Sequence, residues 1–340
     1  MNRFVVGLGI FSASLLLSLS LAEVCVRVLG LGPWPRARLP RDEPILHVPD
    51  PVLGWRNKPG TYVYPGYTPA SPEIHMTIAA DGSRATGGDA RLAGREILLV
   101  GCSFAFGQGL SDEDSLGWRL QRRLPGATVR NLAVAGYGTL QSLLLLEERV
   151  RENRSPPIVV YAFIDGHDSR NIAHPEWLRL LTAFSRAGMV AVPFATLESP
   201  GHLVRHPPLL YPLWPLRRRF GLVSYLQDRA ADSTAAGRVR QATAVTEQLI
   251  VDMNAEVASA GGKLLVAVLY GPRATMQAYE QSLSGSGIDT VDCSSDFPIP
   301  VALQVPGEGH PNGSVNERWA ACIADSLRRE LPELARNPSG

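Results

Sequence analysis

Ser103 and His310 are the two side chains in this sequence best suited to nucleophilic chemistry. Ser103 lies in the glycine-rich run GCSFAFGQG (101–109), and His310 lies in GEGHPN (307–312), where Gly, Pro and Asn predict a loop. A serine hydroxyl is a poor nucleophile until an imidazole removes its proton, and a nearby carboxylate such as Glu308 can orient that imidazole. Taken alone, Ser103 is better explained as a turn or helix-capping serine. The pattern predicts acyl chemistry only if the fold brings these residues together.

Two further segments carry residues that such a reaction could use. Gly136, in NLAVAGYG (131–138), could bring a backbone N–H close to a substrate, or it could simply be a turn glycine. His167, in IDGHDSRN (164–171), could be a hydrogen-bond donor, a base or a solvated loop histidine. The residues after His167 are possible substrate contacts, with a salt-bridged loop anchor as the alternative for the arginine: Asp168, Arg170 and Asn171.

Composition excludes several classes of protein. The 340 residues are 45% hydrophobic and 19% charged, which predicts a folded chain. The net charge of +1 gives no electrostatic reason to expect a nucleic-acid partner. Neither GxxxxGK[ST] nor GxGxxG is present, so no phosphate-binding loop is indicated. The four cysteines form no CxxC pair, so neither a zinc site nor a dense disulfide framework is indicated, and the redox compartment stays open: Cys25, Cys102, Cys293 and Cys322. We predict no metal and no cofactor.

Apolar runs alternate with amphipathic segments over most of the chain, which predicts an α/β domain with a parallel sheet. Ligands of such sheets bind beyond the carboxyl ends of the strands, where the candidate residues lie. The predicted strands are ILLVG (97–101), 128–134, 157–164, 263–270 and, more weakly, 288–291. The predicted helices are one that starts near Leu116 behind a Ser111 cap, then 139–151, 238–260 and 314–329.

The amino-terminal segment from Phe4 to Ala22 carries no charge and is long enough to cross a bilayer. A cleaved signal peptide is the alternative, because Ser20 and Ala22 form the small-x-small pattern that precedes a cleavage site. Arginines that follow the segment mildly favour a cytoplasmic body by the positive-inside rule. The sequence thus predicts a single-pass anchor, or a secreted protein if the segment is cleaved.

The whole chain divides by composition into three parts. Residues 1–30 form the anchor or signal segment, and 31–95 form a Pro/Gly-rich neck with short strands at 61–64 and 74–78. Residues 96–335 form the main domain, in which the irregular stretch 172–237 is predicted to be an insertion or lid.

Four segments together resemble the conserved blocks of the SGNH/GDSL hydrolase superfamily: VGCSFAFGQG, NLAVAGYGTLQ, FIDGHD and EGHPN. The resemblance covers roughly 96–330 and implies a three-layer, flavodoxin-like sandwich around a parallel sheet. It implies that Ser103 is the nucleophile and His310 the general base. It also implies an oxyanion hole made by the N–H groups of Ser103 and Gly136 and by the side chain of His167. The amino-terminal helix and DPVLGWRNKPG (50–60) resemble membrane-anchored bacterial members of this superfamily.

The sequence departs from the superfamily's pattern at three positions. Cys102 replaces the Asp of GDS, and His167 replaces the Asn of GND. An imidazole at that place predicts a pH dependence near its pKa. Gly307 stands where the DxxH pattern has Asp, which leaves Glu308 as the acid that orients His310, with Asp292 and Asp296 as alternatives.

The resemblance implies a serine ester hydrolase that acts through an acyl-enzyme, on O-acetyl esters of carbohydrates or on small esters. Two alternatives remain open. One is an O-acyltransferase that acylates envelope polysaccharide, and the other is a non-catalytic carbohydrate-binding or assembly protein on a degenerate scaffold. Because such carbohydrates lie outside the inner membrane, the resemblance implies a periplasmic body, against the arginine count. The expected partners are an ester substrate and the membrane, with no nucleic acid.

Overall fold

A computed structural model describes residues 3–33, 44–87, 95–152, 158–184, 191–211, 213–294 and 297–335. Its strands are β1 (His47–Asp50), β2 (Gly54–Asn57), β3 (Gly60–Tyr64), β4 (Ile74–Ile78), β5 (Arg95–Gly101), β6 (Ala127–Asn131), β7 (Ile158–Ile164), β8 (Ala191–Ser199), β9 (His202–Leu210), β10 (Lys263–Tyr270) and β11 (Asp289–Asp292). Its helices are α1 (Arg3–Val28), α2 (Ser103–Phe106), α3 (Leu116–Arg123), α4 (Thr139–Glu152), α5 (His167–Asn171), α6 (Pro175–Phe184), α7 (Gly221–Val239), α8 (Ala242–Ser259), α9 (Arg273–Gly285) and α10 (Gly313–Glu330).

Five parallel strands form the central sheet, in the order β11-β10-β7-β5-β6. Numbered by chain order within the sheet, this is 2-1-3-4-5 read from the β6 edge, the flavodoxin-like order. All seven residues of the middle strand β7 are buried, because helices cover both faces of the sheet. The predicted α/β fold with a central parallel sheet is therefore confirmed.

Helices cover the sheet on two sides and make it the middle layer of three. On one side, α3 and α10 contribute Leu120 and Trp319 to a core that also contains Ile97 and Leu99 of β5. Helices α4 and α8 contact each other as well as β5 and β10 respectively. Alternate residues of a strand point to opposite faces, so β5 supplies both layers of the core.

The segment predicted to be a neck packs onto the body of the domain. Strands β1 and β2 form one antiparallel pair and β3 and β4 another, the latter at the predicted places. Met76 and Ile78 are almost fully buried and belong to the same core as Ile97. This part of the chain is therefore an integral part of the domain, because it shares the same hydrophobic core.

Two predicted helix boundaries differ from those in the structure. Helix α3 is capped by Ser115, whose hydroxyl accepts the N–H of Trp118, while residues 112–114 form a 3₁₀ turn. The helix predicted at 238–260 begins only at Ala242. Before it, the side chain of Gln241 exchanges two hydrogen bonds of 3.0 Å with the backbone of Leu197 on β8. Gln241, whose side chain is hydrogen-bonded to β8, thus immediately precedes α8.

The chain divides into two compact units. One contains the described residues within 1–38, 175–190 and 210–237, and the other contains the rest, including the β8–β9 hairpin. In the first unit, α1 has a mean hydropathy of 2.2 over an 18-residue window with 0% buried. By length and composition α1 can span a membrane, and a signal sequence passes the same test. The Glu23 carboxylate accepts the N–H groups of Gly221 and Leu222 at the start of α7.

Candidate active site

The turn after β5 places Ser103 at the carboxyl edge of the sheet, where it is 6% exposed. Gly101 ends the strand with φ +151°, and a Cβ there would lie 2.9 Å from the carbonyl oxygen of Ala162 on β7. Only glycine fits so close to the neighbouring strand. Ser103 then begins the four-residue helix α2, which is followed by Gly107 in a left-handed conformation. The side chain of Ser103 is thus held on a tight strand-to-helix turn.

Arg84 holds the far end of this turn. Its guanidinium is fully buried and donates to the carbonyl oxygens of Phe106, Gly107 and Leu110 at 2.6–2.7 Å, while its Nε lies 3.0 Å from Asp112. The last carbonyl groups of a helix have no partner within the helix and need donors from elsewhere. Arg84 supplies those donors for α2. No sequence pattern indicates this role, because a single arginine after the Asp81–Gly82 turn resembles an ordinary surface residue.

The loop before α10 brings His310 to Ser103. The Nε2 atom of His310 lies 2.8 Å from the Oγ atom of Ser103, although the two residues are 207 positions apart. The Phe104 ring meets the His310 ring edge to face at 5.5 Å. Behind the loop, Asn312 caps α10 by accepting the N–H groups of Ser314 and Val315. Helix and cap thus anchor the segment that carries the imidazole.

Glu308 is the acid that contacts His310. Its two carboxylate oxygens lie 2.7 and 2.8 Å from the Nδ1 atom of the ring, and one also accepts the backbone N–H of His310 at 2.8 Å. Gly307 and Gly309 adopt positive φ angles of +80° and +96°, which turn the chain tightly enough for a residue two positions away to reach the ring.

The other two candidate acids have different positions. The Asp292 carboxylate accepts the backbone N–H of Ser294 at 2.8 Å, in a local turn. Asp296 lies outside the described residues. Of the described candidates, the structure brings Glu308 to the imidazole.

Two backbone N–H groups near the end of the sheet are candidates for an oxyanion hole. Gly136 lies in the loop after β6 with φ +86°. Within the described part of the chain, the N–H groups of Ser103 and Gly136 donate to no protein acceptor. An oxyanion would give both groups the acceptor that the described residues do not.

His167 is fully buried at the start of α5. Its Nδ1 atom lies 2.6 Å from the Tyr161 hydroxyl, and its Nε2 atom has no partner among the described residues. Burial, reinforced by the charge of Arg170, lowers the pKa of His167 well below its ordinary value, so the ring is neutral near pH 7. The sequence predicted that activity would depend on pH near the pKa of this imidazole. Because the buried ring stays neutral, we expect no change in its charge near pH 7.

A buried relay sets the tautomer of His167. The Asn171 carbonyl accepts the N–H of Leu140, so its amide donates to the Thr139 hydroxyl at 2.9 Å. Thr139 lies 2.7 Å from the Tyr161 hydroxyl. Every hydroxyl hydrogen finds an acceptor when Thr139 donates to Tyr161 and Tyr161 donates to Nδ1. We assign this arrangement, which leaves the single ring hydrogen of neutral His167 on Nε2.

The three predicted substrate contacts have partners inside the protein. Asn171 has no exposed surface and donates to Thr246 as well as to Thr139. The Asp168 carboxylate accepts the hydroxyl of Tyr279 at 2.6 Å. Arg170 donates to the carbonyl oxygen of Tyr137 at 2.8 Å. Arg170 thus anchors the Gly136 loop by a hydrogen bond to a backbone carbonyl. The alternative stated from the sequence was an anchor held by a salt bridge.

Two of the four cysteines form a disulfide that their spacing in the sequence did not predict. Cys293, just after β11, and Cys322 on α10 form a disulfide with a Cα–Cα distance of 5.7 Å. Cys102 is free and buried in the core, and Cys25 is free and exposed. Within the described ranges, no group of three or more His, Cys, Asp or Glu side chains could hold a metal ion.

Comparison with known proteins gives matches among solved structures only. No family model and no curated protein matches the chain. A member of the lipolytic protein G-D-S-L family from Veillonella parvula DSM 2008 is 12% identical with a TM-score of 0.39, over 69% of this chain and 99% of that one. TesA is 14% identical with a TM-score of 0.39 over the same shares. A protein from Bacillus subtilis is 10% identical with a TM-score of 0.39, over 76% of this chain and 68% of that one. Similarity at this level assigns neither family nor activity.

Proposed function

We propose that this protein is a serine ester hydrolase of the SGNH type, acting through an acyl-enzyme on acetyl or other O-acyl esters of carbohydrates or on small esters. One observation carries the proposal: an unbroken line of hydrogen bonds runs from Ser103 Oγ through both ring nitrogens of His310 to Glu308. Nucleophile, base and orienting acid in this order are what acyl transfer to a serine requires.

In the first half-reaction, Ser103 Oγ attacks the carbonyl carbon of the ester while its proton passes to Nε2 of His310. The Nδ1–H of the resulting imidazolium faces the Glu308 carboxylate, which stabilises the positive charge. When the tetrahedral intermediate collapses, the bond to the alkoxy oxygen breaks and the leaving alcohol takes the proton from Nε2. In the second half-reaction, water gives a proton to Nε2 and attacks the carbonyl carbon of the acyl-enzyme. The bond from that carbon to Ser103 Oγ then breaks and Oγ takes the proton from Nε2, which releases the carboxylic acid and restores Ser103.

The oxyanion is held by the N–H groups of Ser103 and Gly136 and by the Nε2–H of His167. All three are donors without a protein acceptor within the described residues. The low pKa of His167 favours its neutral form, and the relay through Tyr161 directs its one hydrogen to Nε2. Fixed donors of this kind each contribute about 10²- to 10³-fold to the rate.

A row of aromatic side chains beside His310 supports a carbohydrate ester as the substrate. The ring of Phe104, which contacts His310, lies 5.3 Å from that of Tyr270, and Tyr270 lies 4.9 Å from Phe297. Phe297 is 47% exposed. Sugars present apolar C–H faces that pack on such rings, so the row offers a path for a glycan that leads to the nucleophile.

The body is proposed to lie in the periplasm, anchored in the inner membrane by α1. The disulfide between Cys293 and Cys322 supports this side of the membrane, because disulfides persist in oxidising compartments and are rare in the cytosol. It outweighs the arginine count, which is a statistical rule about short loops. If α1 is cleaved, the same body is secreted.

The test uses the full chain in detergent micelles. The wild type should hydrolyse p-nitrophenyl acetate, and a fluorophosphonate should label Ser103, as located by mass spectrometry. Ser103→Ala should abolish both with an unchanged melting temperature. Ser284→Ala is the matched control, because Ser284 is an exposed serine on α9 and should behave like the wild type. Equal inactivity of the wild type and Ser103→Ala would refute the proposal. Faster transfer of an acyl label to an added oligosaccharide than to water would point to the transferase.

A further inference from the structure

Strand β2 contacts the loop that carries Gly136, through the side chain and the backbone of Trp55. The indole N–H of Trp55 donates to the carbonyl oxygen of Ala135 at 2.9 Å. The carbonyl oxygen of Trp55 accepts the hydroxyl of Tyr137 at 2.5 Å. The rings of Trp55 and Tyr137 meet edge to face at 5.7 Å. Trp55 therefore bonds to the residues on both sides of Gly136.

The bond to Ala135 bears directly on the N–H of Gly136, because both groups belong to one planar peptide unit. In a trans peptide the C=O and the following N–H point in opposite directions. The only cis peptide in the described residues is Phe297–Pro298, so the unit between Ala135 and Gly136 is trans. Fixing the direction of the Ala135 carbonyl thus fixes the direction of the Gly136 N–H. A carbonyl that accepts a hydrogen bond also makes the N–H of its own unit a better donor.

We propose that Trp55 is a positioning residue for the oxyanion hole, holding the peptide between Ala135 and Gly136 so that its N–H faces the developing negative charge. The inference rests on the proposed function and deepens it. The indole N–H is a donor only, so it can hold the carbonyl but cannot compete for the N–H of Gly136. Trp55 is 9% exposed, so its indole is held within the protein beside this loop.

Other contacts keep β2 in place against this loop. The amide of Asn57 donates to the carbonyl oxygens of Ala133 and Gly82 at 3.1 and 3.0 Å. The amide of Gln141 on α4 donates to the carbonyl oxygen of Leu53 at 2.7 Å. The strand is thus bonded to the loop before Gly136 and to the helix after it. This gives the segment DPVLGWRNKPG a task in the site that its sequence position does not suggest.

The experiment removes the indole N–H in two ways in the full chain in detergent. Trp55→Phe keeps an aromatic ring, and replacement of Trp55 by its benzothiophene isostere keeps the size and shape of the ring as well. The control is Tyr62→Phe, which removes one hydrogen bond from an aromatic side chain to a backbone carbonyl, that of Lys58, on another strand. The measurements are kcat and KM for p-nitrophenyl acetate, the inhibition constant of a trifluoromethyl ketone, and the melting temperature.

Both Trp55 variants should lower kcat by about 10- to 100-fold with KM within about twofold, since the oxyanion contact strengthens only in the transition state. Affinity for the ketone, whose adduct with serine carries the oxyanion, should fall in parallel with kcat/KM. The control should stay within about twofold. If Trp55 had only a structural role, its variants would have a lower melting temperature and a smaller active fraction. The inhibition constant of the trifluoromethyl ketone would then be unchanged.

The outcomes separate this inference from the proposed function. If the wild type is active, Ser103→Ala is inactive and the isostere matches the wild type in kcat and in ketone affinity, the role of Trp55 is wrong and the hydrolase stands. If the wild type is as inert as Ser103→Ala, the hydrolase is wrong and the role of Trp55 falls with it.

Discussion

Glu308 and His310 are two positions apart and are connected by three hydrogen-bond contacts. One carboxylate reaches the ring Nδ1 with both oxygens and also accepts the backbone N–H of the same histidine. The ring and the main chain of His310 are therefore held by one side chain, with the opposite ring nitrogen 2.8 Å from Ser103 Oγ. An acid in this shorter spacing can do what the missing Asp at position 307 would do, because its task is to orient the imidazole and stabilise its charge.

Glu308→Gln should lower kcat by about 10²- to 10⁴-fold with little change in KM. The amide can turn its NH₂ group toward Nδ1, which would favour the tautomer with hydrogen on Nε2, where Ser103 needs an acceptor. Steady-state kinetics on p-nitrophenyl acetate measures the change. Asp292→Asn is the control and should stay within about twofold. A large loss in Asp292→Asn with an active Glu308→Gln would show that the acid has been misassigned.

His167→Asn should retain kcat within about tenfold, because an amide also offers a donor, whereas His167→Phe should lose about 10²- to 10³-fold. The pH–rate profile of His167→Asn between pH 5 and 9 should follow that of the wild type. Burial lowers the pKa of His167, so the imidazole stays neutral over that range and adds no ionisation of its own. An acid limb that disappears in His167→Asn would contradict this.

Acid should destabilise the folded protein partly through His167. The unfolded chain binds a proton at this histidine below about pH 6.5, whereas the folded chain, in which the pKa is lowered, does not. Stability from this residue is therefore fully present above about pH 6.5 and declines as the pH falls. Urea unfolding at pH 7.5 and 5.5 should show a smaller loss for His167→Asn than for the wild type. An equal loss in both would rule out this contribution.

Arg84→Met should destabilise the protein by about 3–5 kcal/mol, since it leaves Asp112 and three carbonyl groups without their buried donor. Since these carbonyls end the turn that carries Ser103, labelling of Ser103 by fluorophosphonate should also slow in the fraction that remains folded. Arg151→Met, at a 72% exposed side chain, should change stability by less than about 0.5 kcal/mol. Equal effects at the two arginines would show that burial of Arg84 is unimportant.

Thiol counting tests the disulfide and the compartment together. The chain has four cysteines, so full-length protein made with its amino-terminal segment should show two thiols when denatured without reductant and four after reduction. Peptide mapping should place the two free thiols at Cys25 and Cys102. Four thiols before reduction would argue for a body in a reducing compartment.

The sequence by itself was sufficient for the five strands of the central sheet. Continuous apolar runs such as 158–164 and 263–270 indicate strands buried on both faces, and their alternation with amphipathic segments indicates a parallel sheet. The resemblance of four segments to the blocks of a known superfamily singled out Ser103, Gly136, His167 and His310 as candidates. The strands, in contrast, follow from local pattern, because burial on both faces produces a continuous apolar run in the sequence.

The tertiary structure decided which side chains meet. Glu308 was the first candidate for the orienting acid, with Asp292 and Asp296 in reserve, and two left-handed glycines turn Glu308 toward His310. The burial of His167, the pair of Cys293 with Cys322 and the bond from Trp55 to Ala135, 80 positions away, have no local signature. Hydrogen-bond direction and burial depend on which distant segments pack together, and no periodicity in a single sequence records that.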